Sequence, residues 1–342
     1  MQIAKRRSEN PFDRRNEFSN SQTGKTMNTA NPNTVLLIAP VVDGLLDKLS
    51  SAFQVYRLYE QADPQAFLRQ IGGDVQAVVT RGDIGVTRSV LEQLPNVGLV
   101  AVFGVGTDAV DLDYTRAHQI AVTITSGVLT NDVADLAMGL LISGARQLCQ
   151  GDKFVREGKW LKQAPALATQ VSGKRIGIFG MGNIGQAIAR RASGFDMDIL
   201  YTDRKKLSHV DHQWCADLHT LAHESDFLVI AASGGAANRG LIDASVFNVM
   251  PKHAWLINIA RGTLVDEKAL IHALQNGVIA GAALDVYEDE PHVPAALMAL
   301  DNVVLQPHVA SATHETRQRM SEVVFNNVAA FFDRAPLPNA ID

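Results

Sequence analysis

Short apolar runs alternate along this chain with stretches in which apolar residues recur every three or four positions. Thr34–Ala39 (TVLLIA), Val75–Thr80 (VQAVVT) and Val97–Val102 (VGLVAV) have strand length and are bounded by Gly, Asp or Pro. Their hydrophobicity is continuous rather than alternating, which predicts strands covered on both faces, as in a parallel sheet. Gly44–Ala52 between them has helical spacing. Asn131–Cys149 predicts one long helix, capped by Thr130 or Asn131. It is apolar around most of its circumference, so it belongs in a core or against a second subunit. Gly151–Ser172 is polar, holds Trp160 and predicts an arm or linker.

A second series follows. Lys174–Phe179, Asp198–Tyr201, Phe227–Ala231, Ala254–Ile259, Ala280–Val286 and Val303–Leu305 predict strands, and Ile184–Ala192 a helix. An amphipathic helix near Glu315–Phe332 closes the chain, and its position predicts a return onto the first unit. The fold class expected is α/β, with two doubly wound parallel-sheet domains. One is assigned 34–126 plus 309–342, the other 127–308. Residues 1–33 predict a disordered leader, polar and basic over 1–26, with Met27 as the expected true start. No apolar stretch follows the early charges, so they do not form a secretory signal, and Glu9, Asp13 and Glu17 weaken a transit-peptide reading.

Composition narrows the classes of function. At 46% hydrophobic and 20% charged over 342 residues, the chain can fill two cores. A net charge of -5 with no block of like charge argues against nucleic acid or an anionic membrane surface as partner. No run is long enough to span a bilayer. The two cysteines, Cys149 and Cys215, form neither a disulfide framework nor a metal motif, which points to a reducing compartment, the cytoplasm.

Gly180-Met-Gly182-Asn183-Ile184-Gly185 follows a predicted strand and opens a predicted helix, and Asp203 ends the next strand. In that context the glycines read as a dinucleotide-binding turn. Gly180 permits the tight turn, Gly182 leaves room for a pyrophosphate, and Gly185 lets helix and strand approach. Free N–H groups at the helix start, at Asn183 and Ile184, would meet the phosphates. A carboxylate at Asp203 can accept from both ribose hydroxyls of NAD and repels the 2′-phosphate of NADP. Arg204, Lys205 and Lys206 offset that repulsion in part. NAD or NADP is therefore expected, with NAD favoured.

Further along the chain lie groups suited to carbonyl reduction. Arg261 follows a buried strand and can clamp a carboxylate bidentately, or simply cap a surface turn. Asp285, Glu288, Asp289 and Glu290 form an acidic loop, either solvated or with one member orienting a histidine. Of ten histidines, His308 follows Pro307, which stiffens its approach. A ketone needs a proton donor at oxygen as hydride reaches carbon, and imidazole suits that task near neutral pH. Arg81-Gly82-Asp83 falls at another strand end, where its charge can select a polar substrate.

In order, FGVGTDAVDL (103–112), TNDVADLAMGLL (130–141), VREGKW (155–160), GKRIGIFGMGNIG (173–185), NIARGTLVDEKAL (258–270), ALDVYEDEP (283–291) and NVVLQPHVASAT (302–313) resemble the D-isomer-specific 2-hydroxyacid dehydrogenases. VREGKW and the last segment are most similar to the hydroxypyruvate/glyoxylate and hydroxyphenylpyruvate reductase subgroup. The resemblance implies a Rossmann coenzyme domain and a flavodoxin-like substrate domain closing on a cleft. It implies reduction of a small 2-oxo acid to the D-2-hydroxy acid and a homodimer built by the long helix and arm. It assigns the substrate carboxylate and carbonyl to Arg261, acid/base work to His308, and the partner of His308 to Glu290. Val105 and Gly106 amides would hold the carboxylate, Asp285 would lie near the nicotinamide carboxamide, and Ala260 would join the cofactor site. Asp203 departs from many NADPH-using members, which carry a small or hydroxyl residue there. Competing readings are a dinucleotide-sensing regulator on the same scaffold and a phosphoglycerate dehydrogenase. Formate dehydrogenases share the run at 201–204 but need no carbonyl proton donor.

Overall fold

Runs of Val, Ile, Leu and Ala become strands because their side chains have apolar cover above and below the sheet. The computed structural model describes residues 33–341, so 1–32 of the expected leader, with Met27, lie outside them. The first strands are β1 (Thr34–Leu37), β2 (Gln54–Arg57), β3 (Ala77–Arg81), β4 (Leu99–Phe103) and β5 (Ala121–Thr123). They form a parallel sheet in the order β5-β4-β3-β1-β2. The second set is β6 (Arg175–Phe179), β7 (Asp198–Thr202), β8 (Gln213–Trp214), β9 (Phe227–Ile230), β10 (Trp255–Asn258), β11 (Gly281–Leu284) and β12 (Val303–Leu305). These are ordered β12-β11-β10-β9-β6-β7-β8, again parallel throughout. A last strand, β13 (Ala340–Ile341), pairs antiparallel with β5 and so joins the first sheet. Every residue of β1, β4, β9, β10 and β11 is buried. The chain is thus α/β with two doubly wound sheets.

Strand order places the site. In a doubly wound sheet the connections leave in opposite directions at the point where the order reverses, which opens a crevice beyond the strand ends. That point lies between β1 and β3 in the first sheet and between β6 and β9 in the second. Residues just past all four strands (Pro40, Gly82, Gly180 and Ala231) line one cleft of about 1340 Å³.

Helix Thr130–Ala145 packs on helix Asn183–Ser193 and on β10 to β12. Gly144 allows this, since a Cβ there would lie 2.6 Å from the Trp255 ring. Helix His314–Phe332 packs on β4 and on helix Asp43–Ala52. The single helix expected over Asn131–Cys149 is two. Gln147 adopts φ 52°, in the left-handed region, and a second helix, Leu148–Arg156, runs into the stretch read as linker. That second helix buries none of its residues, so nothing in this chain's core holds it in line with the first.

Candidate active site

The glycine turn divides its tasks as the packing demands. Gly180 sits at φ 98°, and a Cβ there would lie 2.6 Å from the Ala232 backbone. Gly185 is equally confined, since its Cβ would lie 2.1 Å from Gly180 O. Gly182 differs: a Cβ there would have nothing within 4 Å, so its open face is available to a ligand. Helix Asn183–Ser193 starts there with no side-chain cap and no acid in its first turn. Its first amides and its positive dipole end are therefore left for an anion, and Asn183 and Ile184 line the cleft. Asp203 Oδ2 accepts from Met181 N at 2.9 Å and Oδ1 from Arg204 N at 2.7 Å. The acid is thereby locked against the turn, and Asp203 and Arg204 both line the cleft.

Arg261 is delivered by a staple at the end of β10. The buried Asn258 donates to Arg261 O at 2.9 Å and accepts from Ala260 N at 3.0 Å. Gly262 then passes under the Tyr287 backbone, 1.8 Å from where its Cβ would be. The guanidinium donates from Nε to Asp108 Oδ2 at 2.8 Å and from Nη1 to Ala260 O at 2.7 Å. Its Nη2 faces Gly106, where a Cβ would come within 1.5 Å. Asp108 follows β4 and Arg261 follows β10, so this ion pair ties the two sheets across the cleft. Ala260, Val105 and Gly106 share the wall with Arg261.

His308 is reached through a different set of bonds. Its backbone N donates to Asp285 O at 2.9 Å, while Val309 N and Ala310 N donate to the two Asp285 carboxylate oxygens at 2.8 and 2.9 Å. Burial pushes the Asp285 carboxyl up, and these backbone donors pull against it. Asp285 is fully buried, and its function here is to hold the loop in which His308 takes φ 54°. His308 Nδ1 lies 2.6 Å from Glu290 Oε2, and Glu290 Oε1 accepts from Tyr287 N at 3.0 Å. Tyr287 in turn donates its hydroxyl to Gln306 O at 3.0 Å, and burial pushes that phenol up to about 12. With Nδ1 committed to a carboxylate, Nε2 is the ring nitrogen left for chemistry.

Arg261, His308 and the open glycine turn therefore border one cleft. Gly185, Asp285 and Glu290 stand behind its wall, the first for packing and the other two as supports. Asp108 is a site residue that reading the sequence does not pick out, although it lies within the glycine-containing segment after β4. The available signal is an acid a few residues beyond that turn, within reach of a site arginine. Among the described residues no group of His, Cys, Asp and Glu could hold a metal, and no helix is long and apolar enough to cross a membrane.

Residues 138–310 match the D-isomer specific 2-hydroxyacid dehydrogenase, NAD binding domain. The chain is 41% identical to glyoxylate/hydroxypyruvate reductase A of Arabidopsis thaliana over 87% of its own length and 95% of that protein. It is 39% identical to 2-ketogluconate reductase of Gluconobacter oxydans, with the same two coverages. Among solved structures, the NADPH-dependent glyoxylate/hydroxypyruvate reductase of Sinorhizobium meliloti, in complex with NADP and malonate, superposes with a TM-score of 0.84 at 36% identity. That match covers 91% of this chain and 97% of the other.

Proposed function

This chain belongs to the D-isomer specific 2-hydroxyacid dehydrogenase family, and on that premise we propose that its cleft reduces a small 2-oxo acid of the glyoxylate or hydroxypyruvate type to the D-2-hydroxy acid. The observation that carries the reading is the meeting of Arg261 and His308 on one cleft with the open Gly182 turn. The residues fit a nicotinamide dinucleotide, because Gly182 leaves space at an uncapped helix start. When bound, NADH or NADPH supplies the hydride. Gly180, Gly182, Asn183 and Ile184 would hold the pyrophosphate, and Asp203 the adenosine ribose, with Arg204 at its edge. The carboxylate of Asp203 makes NAD the preferred form.

The chain's own residues then have defined tasks. Arg261 Nη2 and the Val105 and Gly106 amides bind the substrate carboxylate and aim its carbonyl at His308. Protonated His308 donates from Nε2 to the carbonyl oxygen, so one hydride and one proton add across the C=O bond. Glu290 holds Nδ1 and fixes the plane of the ring, leaving Nε2 toward the substrate. Asp285 and Tyr287 fix the loop carrying His308. The Asp108–Arg261 ion pair sets the guanidinium angle and couples substrate binding to the approach of the two lobes, assigned here to 34–126 with 309–342 and to 127–308.

The arm 148–167 exposes Leu148, Val155, Trp160, Leu161 and Leu167, with Leu161 at 93% and Leu167 at 97%. Apolar surface of that kind suits a second copy of this chain, and we assign the protein as a homodimer; its two free cysteines, one of them exposed, suit the reducing cytoplasm. The test is a steady-state panel of glyoxylate, hydroxypyruvate, phenylpyruvate and pyruvate, each with NADH and NADPH. Oxidation of the reduced cofactor with glyoxylate or hydroxypyruvate is expected; none with any of the four refutes the assignment.

A further inference from the structure

Arg317, on helix His314–Phe332, enters the cleft from the side of the first sheet. Its guanidinium lies over the Phe103 ring at 5.5 Å, and it is half-buried. Burial pushes it below its ordinary value, and the neighbouring Arg81 adds to that push while Asp83 opposes it. Among the described residues no carboxylate pairs with it. Arg81 is itself engaged, donating from Nε to Asp83 Oδ1 at 3.0 Å and from Nη2 to Asp83 Oδ2. The other cleft carboxylates on this side are also taken. Asp108 holds Arg261, Asp111 caps Tyr114 N at 2.9 Å, and Asp113 lies 3.8 Å from Arg116. Two guanidiniums and one carboxylate thus leave one positive charge uncompensated.

This cluster is continuous with the wall that holds Arg261. A Cβ on Gly82 would lie 3.0 Å from Gly106 O, and one on Gly106 would lie 1.5 Å from Arg261 Nη2. Arg81, Gly82, Asp83 and Arg317 line the same cleft as Gly106 and Arg261, so a substrate whose carboxylate sits on Arg261 and Gly106 has its tail in the space they border. An arginine cannot shed its proton to escape burial, and its planar fork matches carboxylate and phosphate oxygens.

Resting on the function assigned above, we propose that Arg317, with the Arg81–Asp83 pair beside it, is a second anion subsite that selects 2-oxo acids bearing a carboxylate or phosphate on the tail. The subsite sets specificity and takes no part in the proton or hydride step. Its ligand is the oxyanion, and the two sources are separated by the substrates used.

The experiment measures kcat/KM of the full chain with its preferred reduced cofactor for pyruvate, 2-oxosuccinate, 2-oxoglutarate and 3-phosphohydroxypyruvate. The reading is the ratio of each anionic-tailed acid to pyruvate. In the wild type this ratio is expected to exceed about ten for at least one of them, the worth of one charge-assisted contact. In Arg317→Met it is expected to fall about tenfold. In Asp83→Asn, which frees Arg81 on an exposed pair, it is expected to rise about threefold. The opposite signs separate a subsite from general damage, and Asp83→Asn keeps the test intact if Arg317→Met does not fold. A wild-type ratio near or below one for all three acids overturns the subsite, as does an Arg317→Met that slows every acid in parallel. Turnover of pyruvate or glyoxylate without tail preference refutes the subsite alone. No turnover of any 2-oxo acid refutes the assigned function.

Discussion

Replacing Glu290 with Gln keeps the shape of the His308 support and removes its charge. The carboxylate now accepts from two donors, His308 Nδ1 at 2.6 Å and Tyr287 N at 3.0 Å. A carboxamide offers one oxygen and one NH2, so one of the two donors faces another donor. The loss of a hydrogen bond to a charged group is worth roughly 1.5–3 kcal/mol. The side chains of His308 and Glu290 are 36% and 26% exposed, so solvent screens part of this and the lower half of the range applies. About 1.5–2 kcal/mol of lost hydrogen bonding to the acid/base ring corresponds to roughly a 10- to 30-fold fall in turnover. The assay is steady-state oxidation of the reduced cofactor with glyoxylate. Glu290→Gln is expected to lower kcat by that factor and to leave KM within about threefold, because the substrate carboxylate is proposed to sit on Arg261. A kcat within about twofold of wild type would refute the reasoning.

Further outcomes follow from the same geometry. Arg261→Ala removes a charged clamp and leaves Asp108 unpaired, so kcat/KM should fall at least about a hundredfold, with KM raised; an unchanged KM would take Arg261 out of carboxylate binding. Asp203→Ser removes the carboxylate proposed to face the 2′ position, so the ratio of kcat/KM with NADPH to that with NADH should rise about tenfold; an unmoved ratio would mean Asp203 does not set cofactor choice. The Tyr287 phenol is raised by burial from 10.0 to about 12. The folded chain then binds its proton more tightly than the unfolded chain. That contribution is whole below the unfolded value and is lost as pH rises through the folded one. Urea midpoints should therefore decline between pH 10 and 12 in the wild type, with that component absent in Tyr287→Phe; equal slopes in both proteins would deny the shift.

Much of the fold is legible because parallel strands carry their own signature. VLLI, IGIF, FLVI and WLI are apolar throughout, and no helix of ordinary amphipathicity reads so. Three edge strands escape that signature. β2 (QVYR) is apolar only at its two central residues and buries none of its four, and β8 and β13 are two residues each, too short for any period to register. The break at Gln147 is hidden as well, since helical spacing continues across it and only the backbone records the turn. At the site, the glycine turn and Asp203 stand out because their chemistry depends on local order. Arg261, Glu290 and His308 take their roles from resemblance, since spacing cannot bring residues on separate strand ends together. Asp108, the Asn258 staple and the Tyr287–Gln306 bond depend wholly on long-range pairing, and little in their neighbourhoods announces it.

The central claim is that Arg261 and His308 direct hydride to the carbonyl carbon of a 2-oxo acid bound between the two sheets. The direct measurement supplies reduced cofactor deuterated at the transferring C4 position, with hydroxypyruvate, and follows the label by NMR. Deuterium at C2 of a single enantiomer of the hydroxy acid is predicted, with the rate falling roughly 10²- to 10⁴-fold in His308→Ala. Label absent from C2, or a His308→Ala protein that delivers it at the wild-type rate, would contradict the account.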